Sequence, residues 1–227
     1  MPQFGLFAQI TASLRNRNFR LYFGGMCISL VGTWMQQVAM SWLVYRLTGS
    51  VLLLAGTAFM SQIPVLVLTP FMSVWTDRTD RRKILFFTQS MSMLQAVLLG
   101  VLTLSGHIEV WHLLALSLFI GCVNALDNPT RQAFYPSLVN KSELGNAIAL
   151  NSAVINGSRL IGPAIGGIVI GMIGEGWCFL INGLSYIGVL IALAMIRRKE
   201  FQPQNSRRNI TAEMYEGFNY IRRHNAI

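Results

Sequence analysis

Six long apolar stretches, separated by short polar connections, occupy most of this chain of 227 residues. Most of them reach the ~20 residues that an α-helix needs to cross the ~30 Å hydrocarbon core of a bilayer. A charged residue interrupts only the fifth stretch, at Arg159. The pattern therefore predicts an all-α membrane protein with six transmembrane helices, at positions 21–45, 51–75, 84–105, 110–126, 147–173 and 178–196.

The composition supports a membrane location. Hydrophobic residues make up 53% of the chain and charged residues only 12%, which is too few to cover a soluble protein of this size with a polar shell. Cys27, Cys122 and Cys178 lie in or beside apolar stretches without paired spacing. We therefore expect no disulfide, no metal site and no cofactor.

Basic residues are concentrated in alternate connections. Of the 18 Lys and Arg residues, all but two fall before the first stretch, between the second and third, between the fourth and fifth, or after the sixth. This positive-inside pattern predicts a multi-pass protein of the cell (inner or plasma) membrane with both ends in the cytoplasm. Topology thus accounts for the net charge of +9, so we expect the lipid bilayer and not nucleic acid as the partner.

The same pattern divides the chain into three parts. Residues 1–20 form a cytoplasmic N-terminal segment, residues 21–196 the six-span bundle, and residues 197–227 a cytoplasmic basic linker followed by an amphipathic helix. The second and fifth stretches both contain proline: Pro64, Pro70 and Pro163. These stretches are the second members of two groups of three, so the shared proline is consistent with a 3+3 inverted repeat.

The loop SVWTDRTDRRK at 73–83 resembles the signature loop G-x-x-x-D-R-x-G-R-R of major facilitator superfamily transporters. The matching residues are Asp77, Arg78, Arg81 and Arg82, and the replacements for the two glycines are Ser73 and Asp80. Four further stretches resemble the enterobactin-exporter-like branch of this superfamily, at 32–50, 127–139, 146–167 and 178–186.

The resemblance implies the N-terminal bundle of a major facilitator fold. It also implies a secondary active exporter of small molecules (a siderophore, drug or metabolite) that works by alternating access, with protons as the coupling ion. In the family, a carboxylate–arginine–carboxylate relay latches the outward-facing state. The resemblance assigns this role to Asp77, Arg81 and Asp127, helped by Arg78 and Arg82, with Asp127 at the cytoplasmic end of the fourth span. The alternative is that these charges only orient the chain.

The segment GPAIGG in the fifth stretch resembles a motif associated with antiporters of this superfamily. Gly162 and Gly166 are four residues apart, so they share one helix face and let another backbone approach closely. Pro163 removes a backbone donor and is expected to bend the helix. These three residues and Gly167 are candidates for gating, with helix packing alone as the alternative.

Polar residues inside the apolar stretches are candidates for a hydrated substrate cavity. They are Thr33, Gln36, Gln37, Asn124, Ser152, Asn156 and Arg159. Arg159 lies near the middle of the fifth span, where an unpaired cation is costly, and it is suited to hold an anionic group. The alternative is a structural arginine bonded to backbone carbonyls and Asn side chains. No carboxylate is expected deep within the first four spans, so the sequence assigns no proton site.

Other classes of protein fit less well. The chain has no H-E-x-x-H, G-x-S-x-G or G-x-x-x-x-G-K motif, so an enzyme is not expected. Members of the resembled family have twelve spans in two six-helix bundles, twice the number predicted here. The resemblance therefore implies a missing C-terminal six-span half as a partner. The alternatives are a half-size homodimer, a non-transporting membrane subunit or an inactive fragment.

Overall fold

The computed structural model describes residues 12–196, and helices account for nearly all of them. The six α-helices are α1 Arg17–Thr48, α2 Val51–Arg78, α3 Arg81–Leu104, α4 Val110–Ser137, α5 Leu144–Ile173 and α6 Glu175–Met195. Short 3₁₀ turns at Ala12–Arg15 and Lys141–Glu143 precede α1 and α5. The described residues contain no strand, so the all-α prediction is confirmed. The linker and amphipathic helix predicted for 197–227 lie outside them.

Five helices, α2 to α6, are long and apolar enough to cross a membrane. The remaining helix, α1, has 32 residues but carries more polar side chains along its length. One of these, Gln36, is hydrogen-bonded inside the bundle to Gln95 of α3 and Asn182 of α6. All six predicted helices are therefore present. α1 is less apolar than the others, and its polar side chain Gln36 faces protein and not lipid.

The fourth helix is longer than its apolar pattern indicated. Sequence analysis ended this span at 126, whereas α4 continues through Pro129 and Pro136 to Ser137. The continuation remains helical because its polar side chains are buried against other helices, as Asp127 and Thr130 show. Asp127 lies about ten residues, or about 15 Å, before the end of the helix. Its place at the cytoplasmic end of the fourth span stays a prediction, because a helix can continue beyond the bilayer.

The helices pack in a pattern that repeats between the two halves of the bundle. The main contacts join α2 to α4, α5 to α1, α6 to α1, α3 to α4 and α3 to α6. Exchanging α1 with α4, α2 with α5 and α3 with α6 leaves this set of pairs unchanged. Each triplet has three helices, so the second triplet starts at the opposite end of the bundle from the first. The packing is therefore that of the predicted 3+3 inverted repeat.

Two apolar clusters form the core, one towards each end of the bundle. The first joins α1, α4 and α6 through rings and aliphatic side chains that include Tyr22, Phe134 and Leu193. The second includes Met35, Leu113 and Phe179. Neither cluster draws a fully buried side chain from α2, and α5 contributes only Ala147. The two second members of the repeat are therefore the least buried of the five apolar helices.

Candidate functional site

An ion pair joins the last turn of α2 to the first turn of α3, at the end of the bundle where α2, α4 and α6 finish, which we call the basic end. Arg81 Nη2 lies 3.2 Å from Asp77 Oδ1, and Arg81 Nη1 donates to the carbonyl oxygen of Ala133 in α4 at 3.2 Å. Asp77 is 61% exposed, so the ion pair alone contributes about 0–1 kcal/mol. Its geometric effect is to fasten the connection to α4.

Both residues that replace the signature glycines make local hydrogen bonds. Ser73 Oγ donates to the carbonyl oxygen of Thr69 at 2.8 Å, within α2. Asp80 is the N-cap of α3, and its carboxylate accepts the backbone N–H of Arg82 at 3.0 Å. A carboxylate at a helix N-terminus satisfies an otherwise unpaired donor. The structure therefore explains Asp80 by capping.

The last turn of α6 is bonded to arginines from two other helices. Arg82 donates to the carbonyl oxygens of Leu193 (Nε, 2.5 Å) and Ala194 (Nη2, 2.8 Å), and Arg17 donates to that of Met195 at 3.2 Å. These carbonyls have no partner within the helix, and a cation at a helix C-terminus is favourable. Arg82, which the resemblance grouped with the latch, is placed here against α6.

Asp127 forms a second, buried ion pair. Its carboxylate is 1% exposed, with Oδ1 accepting from Thr88 Oγ1 at 2.6 Å and from Gln89 Nε2 at 2.9 Å. Its Oδ2 is paired with Arg131, one turn further along α4. Asp127 and Arg81 thus lie in separate ion pairs in this conformation. The i,i+4 spacing was a signal for Arg131 that sequence analysis did not use.

A hydroxyl contact links α2 to the helix that carries this buried pair. Thr76, which precedes Asp77, and Thr130, which precedes Arg131, are both buried and lie 2.9 Å apart at their Oγ1 atoms. Thr130 also donates to the carbonyl oxygen of Leu126 at 2.6 Å. The two ion pairs are therefore adjacent to one continuous contact between α2 and α4.

Two glycines of GPAIGG lie against α1. A Cβ added at Gly162 would meet Trp34 Cβ at 2.5 Å and the carbonyl oxygen of Val31 at 2.8 Å, and one at Gly166 would meet Met35 at 3.3 Å. At Gly167 nothing lies within 4 Å of that position. The first two glycines therefore allow α5 to approach the backbone of α1, whereas the third faces open space.

A cavity of about 350 Å³ lies beside this crossing. Its lining residues are Trp34, Gln37, Val38, Ser41, Arg159 and Pro163. The guanidinium carbon of Arg159 lies 4.8 Å from the centre of the Trp34 ring, in a cation–π arrangement. Among the described residues Arg159 has neither a carboxylate partner nor the carbonyl and Asn contacts expected of a structural arginine. Trp34 could not be predicted as a partner of Arg159, because nothing in the sequence pattern relates two residues that are 125 positions apart.

The other candidate cavity residues fall into three environments. Ser152 and Asn156 lie on the exposed face of α5, where Asn156 Nδ2 donates to the Ser152 carbonyl oxygen at 2.8 Å. Thr33 is exposed on α1, and its Oγ1 lies 3.4 Å from Tyr186 Oη. Asn124 is half-buried in α4. None of these residues lines the cavity beside Arg159.

Gln36 belongs to a polar network inside the bundle and not to the cavity. Its Oε1 accepts from Asn182 Nδ2 at 2.8 Å, and its Nε2 donates to Gln95 Oε1 at 3.0 Å. Gln95 Nε2 in turn reaches the carbonyl oxygen of Leu116 at 3.5 Å. This network ties α1, α3, α4 and α6 together at mid-height. Gln95 and Asn182 are its members that sequence analysis missed, although each is an amide in an apolar span.

The opposite end of the bundle has its own ion pair, between Arg46 at the end of α1 and Glu175 at the start of α6. Glu175 is almost fully buried, and Arg46 is half-exposed. Within residues 12–196 no group of three or more His, Cys, Asp or Glu side chains is arranged to hold a metal ion.

The repeat and the charged loop at the basic end are those of the N-terminal bundle of a major facilitator fold. The chain belongs to the transmembrane secretion effector family of that superfamily, whose model matches residues 8–227. No solved structure matches the chain.

Several characterised transporters are similar to this chain. It is 29% identical over 178 residues to the staphyloferrin A transporter of Staphylococcus aureus, covering 78% of this chain and 45% of that protein. It is 23% identical over 212 residues to macrolide efflux protein A of Streptococcus pyogenes, covering 92% and 52%. A multidrug efflux pump of Mycolicibacterium fortuitum is 25% identical over 166 residues, covering 70% and 40%. The chain thus spans about half the length of these relatives.

Proposed function

We propose that this chain is the N-terminal half of a secondary active exporter that moves small molecules by alternating access. The observation that carries the proposal is the cavity between α1 and α5, where a mid-membrane arginine without a carboxylate partner among the described residues lies beside a glycine-mediated helix crossing. Ionisable residues at that depth characterise substrate and ion pathways. The relatives with efflux or siderophore names support the same class of activity.

The two ion pairs at the basic end are proposed as the latch between conformations. Arg81 bonds both Asp77 and the carbonyl of Ala133, so a movement of α2 and α3 relative to α4 breaks or remakes these contacts. A contact that exists in one state and not in the other biases the equilibrium by its own free energy. In this proposal the basic end faces the cytoplasm, and the protein lies in the cell membrane.

Proton coupling belongs to the same proposal, and the resemblance supplies it without assigning the coupled group. A proton bound in one conformation and released in the other would couple the gradient to transport. The buried carboxylate of Asp127, which accepts from Thr88 and Gln89 and is paired with Arg131, contributes to the contacts that hold α3 to α4.

The second six-span half is proposed to cover α2 and α5, the least buried apolar helices. Family members pair two such bundles around one central site. A non-transporting membrane subunit or an inactive fragment is the alternative function, and it predicts that no solute moves in response to a gradient.

The test is uptake into energised everted vesicles that contain the full-length gene product. Erythromycin and staphyloferrin A are the two probes, chosen for the classes that the relatives' names state. Accumulation of either compound that stops when a protonophore collapses the gradient is the expected result. Vesicles that insert the protein correctly but accumulate neither probe nor any of a wider panel would favour the inactive alternative.

A further inference from the structure

The charge of Arg159 is not neutralised by any described residue. It lies in the middle of α5, fifteen positions after Leu144 and fourteen before Ile173, and its contact in this part of the chain is the face of Trp34. A cation–π contact offsets only part of the cost of an unpaired cation at membrane depth. The guanidinium keeps its N–H donors available for an anion.

The cavity beside it has a mixed lining. It includes the apolar side chains of Val38 and Pro163 and two uncharged polar groups, Gln37 and Ser41. Ser41 Oγ donates to the carbonyl oxygen of Gln37 at 3.0 Å, so its proton is already used, whereas the side-chain amide of Gln37 keeps its N–H donors for an anion. A mostly apolar pocket with a few convergent polar groups is the usual form of a small-molecule site.

We infer that this cavity is an anion-selective subsite, which takes small molecules with one carboxylate beside a planar apolar body. The carboxylate matches the fork of N–H donors on Arg159, and the apolar body matches Val38, Pro163 and the ring of Trp34. A doubly charged phosphate fits less well, because one cation lines the cavity. This inference rests on the proposed function, since it names the class of molecule that the exporter would carry.

A carboxylate from elsewhere in the assembled protein is the competing partner for Arg159. A protein carboxylate would neutralise the arginine without any need for the amide and hydroxyl groups of Gln37 and Ser41. Both side chains are exposed on α1 and line the same cavity as the arginine. This arrangement favours a solute that is bound on several sides.

The experiment measures binding to the full-length protein in lipid nanodiscs by calorimetry, with no gradient present. The probes are 1-naphthoate and its uncharged amide, 1-naphthamide, which have the same shape. We expect naphthoate to bind the unaltered protein roughly tenfold more tightly than naphthamide. In Arg159→Gln the two affinities should agree within about twofold, because naphthoate loses its charge partner. Arg20→Gln, which removes the same charge from an exposed position at the start of α1, should keep the full preference.

A second variant protects the test against misfolding. Ser41→Asp places a carboxylate on the cavity wall while Arg159 remains, and it should also abolish the preference for naphthoate. Equal affinities in the unaltered protein, or a preference that persists in Arg159→Gln or Ser41→Asp, would overturn the inference. Equal affinities are also what a protein carboxylate on Arg159 predicts. Binding that shows the expected preference in a protein that transports nothing would instead refute the proposed function alone.

Discussion

α2 and α5 occupy equivalent places in the repeat, yet the charged side chain beside the α2–α4 crossing is paired and the one beside the α5–α1 crossing is not. Both are poorly buried, both contain proline, and each packs on the first helix of the other triplet. Beside the α2–α4 crossing, the buried charge of Asp127 is matched by Arg131 on the same helix. Beside the α5–α1 crossing, Arg159 is left without a carboxylate partner in the described residues and borders a cavity. A paired buried charge holds helices together, whereas the exposed guanidinium of Arg159 is available to a ligand.

The close approaches at the two crossings use the same device on different helices. In the α5–α1 crossing the glycine is Gly162, on the less buried helix. In the α2–α4 crossing it is Gly121, on the more buried helix, where a Cβ would meet the carbonyl oxygen of Ser61 at 2.5 Å and Pro64 Cγ at 3.0 Å. Both crossings therefore contain a glycine at a close contact, on the less buried helix in one and on the more buried helix in the other.

The largest effect should come from removing one partner of the paired charge. Asp127→Asn leaves the guanidinium of Arg131 mostly buried without a counter-ion, and we expect a loss of about 3–5 kcal/mol in the free energy of unfolding. Arg159→Gln removes the unpaired charge and should change stability by less than about 1 kcal/mol. Thermal unfolding of both variants in the same detergent measures the difference. Equal destabilisation by the two would remove the distinction between the crossings.

The next largest effect should come from the glycines that set the helix separation. Gly162→Ala and Gly121→Ala each bring a methyl group within 2.5 Å of an atom of the facing helix. We expect each to lower the free energy of unfolding by about 1–3 kcal/mol. Gly167→Ala is the matched control, because its methyl group would enter open space and favour the helix. Unfolding midpoints should fall for the first two variants and stay level or rise for the control. A tolerated Gly121→Ala would show that the two crossings are not equivalent in tightness.

A smaller effect is expected from the hydroxyl contact at the end of α2. Thr76→Val keeps the shape of the side chain but removes its hydrogen bond to Thr130, which retains its bond to the carbonyl of Leu126. The expected loss is about 1 kcal/mol. Hydrogen–deuterium exchange should show faster exchange in the last turn of α2 and no change in α5. Equal changes in both helices would mean that the contact is not specific to the α2–α4 crossing.

The smallest effect on stability should come from the exposed pair. Asp77→Asn removes the partner of Arg81 at a site where such pairs contribute about 0–1 kcal/mol, so unfolding should barely change. Transport should nevertheless fall by roughly fivefold if the pair biases the two conformations by about 1 kcal/mol. Lys83→Gln, which removes an exposed charge from the first turn of α3, serves as the control. Unchanged transport by a normally inserted Asp77→Asn would rule out the latch.

The positions of the helices could be predicted from the sequence, because charge-free apolar runs leave little choice in a membrane. Their ends could not, since buried polar contacts such as those of Asp127 extend α4 beyond its apolar pattern. Gln36 and Gln37 show the same difficulty within a helix. They are about 100° apart around the axis, and only the packing decides which of them faces the bundle and which the cavity.

The anchoring of the α6 terminus has a consequence for how motion could be observed. Arg82 and Arg17 hold the last carbonyls of α6, and Arg82 is the neighbour of Arg81 in the first turn of α3. The point where the chain continues beyond residue 196 is therefore fixed to the same helix end that carries the exposed ion pair. A spectroscopic label at Ile196 should keep a constant distance to one at Lys83, and a label at Ser137, at the end of α4, should move relative to both when the proposed latch opens.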